Sequence, residues 1–440
     1  MYSNKHIWSI SYPILLSLLA QNIINVTDTA FLGHVSEVVL GASAMGGLFY
    51  VCIYTIAFGF SVGSQIVIAR RNGEQQYRDV GPVMIQGCIF LLALAILFFG
   101  LTKTFGGNIM RVIVSSDAIY DATMQFINWR MFGFFFSFAS AMFRAFYIGI
   151  TRTKVLTINA IVMALTNVVL DYLLIFGKFG FPEMGIKGAA IASVIAEAGS
   201  ILFFLIYTFL TVDLKKYGLN KLYTFDATLL IRILGISCFT MLQYFLSMST
   251  FFVFFMVVER LGQRELAIAN IVRSIYVLLY IPVSALATTA NSLVSNTIGA
   301  GKAQHVMALV KKIARMDFLV MAGLAGLIAL FPSIVLSVYT KDASLISSCI
   351  PSVHVICAAM LIASIGNVAF NSISGTGNTR AALMLESGTL VFYVAYLLVI
   401  GIGLRPPVEI CFTTEIVYYT LLLIGSYAYL KKANWQNKKV

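Results

Sequence analysis

The acids inside apolar stretches of this chain that read as candidates for chemistry are Asp28, Asp171, Glu197 and Glu415. A charged group at the centre of a membrane helix costs at least about 2.5–3.5 kcal/mol, so each is a candidate for function. Asp28 lies in QNIINVTDTAFLG, residues 21–33. Ser17, Gln21, Asn25 and Asp28 are spaced i, i+4, i+8 and i+11, one face of a helix, and this stripe predicts a contact with protein or water. Asn167 precedes Asp171 by four residues and shares its face. Ser193 and Glu197 repeat that spacing. Two carboxylates in a low-dielectric pocket cannot both be charged at little cost. The pair Asp28/Asp171 is expected to take up a proton, or to bind Na⁺ with Asn167 and Ser193 as neutral oxygen ligands. Glu197 has no obvious cationic partner and is either a second proton site or a hydrogen-bonded structural acid. Glu415 reads as a near-interface group.

The elements that must hold these residues are membrane helices. The chain has 440 residues, 60% of them hydrophobic and 11% charged, where a soluble domain has about 25% charged. Apolar runs of about 20 residues recur along it, each long enough to cross a bilayer. The reading is an all-α polytopic membrane protein with twelve spans, near 10–32, 43–69, 82–101, 125–149, 155–176, 187–211, 233–257, 268–295, 309–331, 351–374, 381–401 and 409–429. Lys and Arg divide 18 to 8 between alternate loops, counting Arg405, Lys438 and Lys439, which places both termini in the cytoplasm of a cell (inner) membrane. The net charge of +12 is thus topology, and no nucleic-acid partner is expected. The first helix reads as retained, not as a cleaved signal.

On this topology Asp28, Asp171 and Ser193 lie about four, five and six residues from the outer ends of their spans, one layer at about 1.5 Å per residue. The two halves also echo each other. Gly33/Gly262, Gly73/Gly301 and Gly149/Gly375 are offset by 229, 228 and 226 residues. This predicts two pseudo-symmetric six-helix lobes, residues 1–216 and 231–440, with a cytoplasmic linker at 217–230 and a substrate cavity between the lobes. The second half has Val257, Tyr393 and Leu397 where the first has Asp28, Asn167 and Asp171, so the acid pair is one-sided.

Such an architecture points to a transporter. No Walker A sequence is present, which leaves an ion gradient as the drive. GFSVG at residues 59–63 fits a nucleophile pattern, but without strand-turn-helix context it reads as close helix packing. The six cysteines and four histidines have no ligand spacing, and neither a cofactor nor an enzyme is indicated. Pro13 is either a hinge or a tolerated membrane proline. Gln21, Asn25 and Gln243 are candidates for polar cavity groups.

These residues also carry a resemblance. P-x14-D-T-A-F-L-G (Pro13, Asp28, Gly33), N-V-V-L-D (Asn167, Asp171), G-I-K-G-A-A-I-A-S, N-T-I-G-A-G-K and G-T-G-N-T-R together resemble the multidrug and toxic compound extrusion (MATE) family. The resemblance implies a V-shaped central cavity between the lobes and export of organic, often cationic or amphipathic, compounds in exchange for H⁺ or Na⁺. It also implies an N-lobe cation site at Asp28, Asn167, Asp171 and Ser193, a helix-1 bend at Pro13, and a chain acting as a monomer in lipid. The NorM-type branch adds C-lobe acids. The corresponding places here fall near Ser247 and Ala363, with Gln243 the nearest polar candidate and no acid expected close by. The chain therefore looks DinF-like. A lipid or lipid-linked oligosaccharide flippase of the same superfamily is the alternative, favoured if Arg144 and Arg273 face the cavity. A passive channel or a membrane enzyme would be a different class.

Overall fold

In hydrocarbon every backbone N–H and C=O must find a partner within its own segment, so long apolar runs become helices. The computed structural model describes residues 2–221, 223–404, 407–432 and 435–436. Leu222 of the linker, and Arg405, Lys438 and Lys439 of the charge count, lie outside the described residues. The helices are α1 (Asn4–Gly33), α2 (Glu37–Gly73), α3 (Val80–Ile113), α4 (Asp117–Arg130), α5 (Gly133–Gly149), α6 (Lys154–Phe176), α7 (Ile186–Thr211), α8 (Ala227–Glu259), α9 (Gln263–Gly299), α10 (Val306–Leu330), α11 (Pro332–Leu336), α12 (Ala343–Gly375), α13 (Thr379–Leu398) and α14 (Val408–Lys432). Among the described residues eleven are long and apolar enough to cross a membrane, and α4 with α5 makes a twelfth span.

That twelfth span departs from expectation. The sequence predicts one helix over 125–149. The chain instead forms α4 and α5, bent by 54° at Met131–Phe132. The physical reason is local. At the bend Gly133 packs onto the side chains of Arg130 and Glu197 so closely that a Cβ there would collide with both, a position only glycine fills without displacing them.

The chain divides into two compact units. Tyr12–Met241 is one, and Met1–Ser11 joins Leu242–Val440 in the other. In the N-terminal unit the start of α8 lies against α2. Thr240 Oγ1 donates to the Gly59 carbonyl at 2.6 Å, and Ser237 Oγ donates to that of Phe60 at 3.3 Å. A Cβ on Gly59 would meet Met241 Cα at 2.5 Å, which explains GFSVG as a packing stripe. In the C-terminal unit Ser11 Oγ donates to Thr289 Oγ1 at 2.9 Å, and Lys312 Nζ donates to the Tyr2 carbonyl at 2.7 Å.

Helices α6 and α7 form the scaffold of the site. Gly177 ends α6 in the left-handed conformation (φ +63°), where a Cβ is strained. Met184 N–H then donates back to the Leu174 carbonyl at 2.9 Å. A Cβ on Gly188 would stand 2.7 Å from Leu174 C and O, so the two backbones touch. This approach sets Asp171 and Ser193 at one level. Helix α1 runs through Pro13 without a break, and Thr157 Oγ1 donates to the Pro13 carbonyl at 3.1 Å. Gly188→Val should separate α6 from α7 and destabilise the fold by about 1–3 kcal/mol, as overpacking does. A thermal melt of the purified variant checks it, and an unchanged midpoint would contradict the close approach.

Candidate functional site

The site in the N-terminal unit is built from three helices. Helix α6 presents Asn167 and Asp171, four residues apart and both buried. Asp28 reaches the same point from α1 and is half-buried. With its nitrogen facing the acids, the Asn167 amide donates to Asp28 Oδ1 at 2.9 Å and to Asp171 Oδ2 at 3.3 Å. The other end of the amide is 3.4 Å from Ser193 Oγ on α7. Both carboxyls thus lie against one and the same amide. Asp171 Oδ1 is buried with no hydrogen-bond partner among the described residues. An orphaned carboxylate oxygen in a dry setting is costly, and a proton or cation would relieve it.

Asp28, Asn167, Asp171 and Ser193 are thus brought together. The rest of the α1 stripe is not. Gln21 and Asn25 are exposed, and Ser17 Oγ is spent on the Ile14 carbonyl at 2.7 Å.

Glu197 corrects an expectation. It does have a cationic partner: Arg130 Nη2 donates to Oε1 at 2.6 Å and Nη1 to Oε2 at 2.8 Å. Tyr50 OH is 3.1 Å from both carboxylate oxygens and donates to Ser137 Oγ at 2.7 Å. The guanidinium carbon sits 3.6 Å from the centre of the Tyr50 ring. Charge is balanced within this cluster, and Glu197 does not touch the Asp28/Asp171 pair. Arg130 is 67 residues away in sequence and at the end of a different helix, so helix periodicity carried no signal for the pairing.

The C-terminal unit holds a second correction. An acid does stand beside Ser247: Glu386, carried by α13, accepts from Ser247 Oγ and from Tyr418 OH, the latter at 3.3 Å. Its other oxygen, Oε2, is buried with no hydrogen-bond partner among the described residues. The repeat-related positions lie on α8 and α12, whereas Glu386 reaches Ser247 from α13, so the echo between the halves carries no signal for it. Glu415 accepts from Tyr393 OH at 3.0 Å and lies seven residues inside α14, about 10 Å from its end. Asp317 on α10 is fully buried, and neither carboxylate oxygen has a hydrogen-bond partner among the described residues. Glu386 is carried by α13, so the repeat-related places near Ser247 on α8 and Ala363 on α12 themselves hold no acid, and the DinF-like assignment stays an expectation. Glu386→Leu would strip Ser247 and Tyr418 of a shared acceptor and should cost about 1–3 kcal/mol. A lowered melting midpoint for Glu386→Leu, with Glu386→Gln closer to wild type, is the expected outcome.

Known proteins agree with this architecture. The MatE family profile matches residues 13–173 and 240–399. A probable multidrug resistance protein NorM of Idiomarina loihiensis is 28% identical over 348 residues, 76% of this chain and 72% of the relative. The Thermotoga maritima protein of the same name is 22% identical over 383 residues, 87% and 82% of the two chains. Among solved structures, a MATE protein in complex with MaL6 has a TM-score of 0.89 at 17% identity, covering 97% of this chain and 95% of that one. An outward-facing multidrug resistance MATE family transporter has a TM-score of 0.86 at 18% identity, covering 99% and 97%. With a profile match over most of its length and a fold shared with solved members, the chain belongs to the MatE family of multi-pass membrane transporters.

Proposed function

We propose that this protein is a secondary active antiporter. It exports organic, cationic or amphipathic compounds from the cytoplasm in exchange for H⁺ or Na⁺ bound at Asp28 and Asp171. The observation that carries the reading is the convergence of Asp28, Asn167 and Asp171 around a buried carboxylate oxygen with no partner. The drug-export reading also draws on relatives named as probable multidrug resistance proteins.

Coupling needs the cation to bind two conformations unequally, since a ligand that binds both alike shifts nothing. Taking up a cation neutralises the pair and favours the state with lower affinity for the exported compound, which then leaves to the outside. Asn167 serves either ion. With nitrogen toward the acids it stabilises carboxylates sharing a proton. Turned by 180° it offers its oxygen to Na⁺ and its nitrogen to Ser193 Oγ. Both termini face the cytoplasm on this reading, the protein acts as a monomer in the inner membrane, and lipid is its surroundings. The flippase alternative turns on whether Arg144 and Arg273 face the cavity; Arg144 is half-buried 5.3 Å from the centre of Phe58, and Arg273 is exposed 5.2 Å from that of Phe255. Relatives named as probable multidrug resistance proteins favour drug export.

Proteoliposomes loaded with a cationic dye, with pH and sodium gradients imposed separately, test the proposal. Asp28→Asn and Asp171→Asn should each reduce gradient-driven efflux to the leak of protein-free liposomes while the protein remains folded. Near-normal transport by either variant would sink the reading. Ser193→Ala should weaken the sodium response if Na⁺ is the coupling ion and change little if H⁺ is.

A further inference from the structure

The Arg130–Glu197 cluster stands next to the cation site along two helices. Ser193, which touches Asn167, and Glu197, which holds Arg130, are one turn apart on the same face of α7. Arg130 is the last residue of α4, and the span bends by 54° directly after it. Gly133, the first residue of α5, is packed onto the ion pair so closely that a Cβ would also meet Tyr50 OH at 2.9 Å. Ser193 in turn touches Asn167, the amide that bridges Asp28 and Asp171, so the carboxylate that holds Arg130 stands about one helical turn from the cation site. The guanidinium therefore has two sets of acids in its neighbourhood: Glu197, which it holds now, and, one turn along α7, the Asp28/Asp171 pair.

From this geometry we infer that Arg130 is a movable counter-charge of the cation site and that Glu197 is where it rests. It rests on the reading of Asp28/Asp171 as the coupling site and adds what happens when that site empties. With a proton or Na⁺ on the aspartates, their charge is low and Arg130 stays bidentate on Glu197. Once the cation leaves, the added negative charge draws the guanidinium toward Asp28. Its grip on Glu197 loosens, and with it the contact that holds the bend between α4 and α5. Arg130 and the cation thus compete for the same carboxylates, and Glu197 sets the balance by holding Arg130 back. The other titratable and charged groups around the cluster are Tyr50 and Tyr54 on α2 and Arg144 on α5. Tyr50 stacks under the guanidinium and pins its resting position. Arg130 and Glu197 are positioning residues on this account, since neither touches the exported compound.

The test reads the concentration of coupling cation, H⁺ or Na⁺, that gives half-maximal dye efflux in proteoliposomes. Glu197→Gln releases Arg130 toward the aspartates, and about tenfold more cation should be needed, the equivalent of one unit on a logarithmic scale. Arg130→Gln removes the competitor and leaves Glu197 negative, so about tenfold less should suffice. The double variant Arg130→Gln/Glu197→Gln should return to within about threefold of wild type, because the opposed effects cancel. A purely structural ion pair would lower stability in both single variants without opposite shifts. Shifts in one direction, or none, overturn the inference. If the single variants do not fold, Trp129 beside Arg130 supplies the readout. In a Trp8→Phe/Trp435→Phe background its fluorescence should follow the cation titration, and should not in the added presence of Asp28→Asn. A flat titration without Asp28→Asn overturns the inference as well. Asp28→Asn is measured alongside: normal export by it removes the coupling-site reading itself, whereas its inactivity with unshifted Arg130 and Glu197 variants removes only this inference.

Discussion

The structure of the N-terminal unit turns on two carboxyl groups that share one dry position. Asp28 and Asp171 come from helices more than a hundred residues apart in sequence, and a single amide, Asn167, bridges them. Like charges this close in a low-dielectric setting repel strongly, so the pair is stable only when a proton, a cation or a nearby positive group offsets one charge. The fold supplies the walls that make the offset necessary. Helices α6 and α7 approach to backbone contact at Gly188, which leaves Asp171 fully buried. Asp28 on α1 stays half-buried and gives the pair its access.

Charge elsewhere in the protein follows the same rule by other means. Glu197 is neutralised by a bidentate arginine stacked on a tyrosine, where geometry replaces solvent. Glu386 is held by neutral donors, Ser247 and Tyr418, and Glu415 by Tyr393. Asp317 has neither kind of partner among the described residues, and at Asp28 and Asp171 two acids meet at one amide. That distinction, more than the presence of acids as such, sets the site apart.

Much of this was legible in the amino-acid sequence because it is periodic. Helix spacing placed Asn167 with Asp171 and Ser193 with Glu197, and span depth brought Asp28 to their level. Apolar run length gave twelve spans. What depends on contacts between distant helices was not legible. The Arg130–Glu197 pair joins α4 to α7, and the bend after Arg130 follows from that clamp and from Gly133, not from a proline that could be read in advance. Glu386 reaches Ser247 from 139 residues away, on a helix that the repeat comparison did not test. The Gln21 and Asn25 stripe was correctly placed on one helix face, yet shared periodicity with Asp28 did not bring it to the acids.

The most direct test of the central claim is cation release on substrate binding. Purified protein in weakly buffered detergent solution would be mixed with a cationic dye while a pH indicator or a sodium electrode follows the free ion. Reciprocal linkage between the two ligands predicts release of about one cation per protein, lost in Asp28→Asn and in Asp171→Asn. Dye binding without any release, or an undiminished release in both variants, would contradict the account.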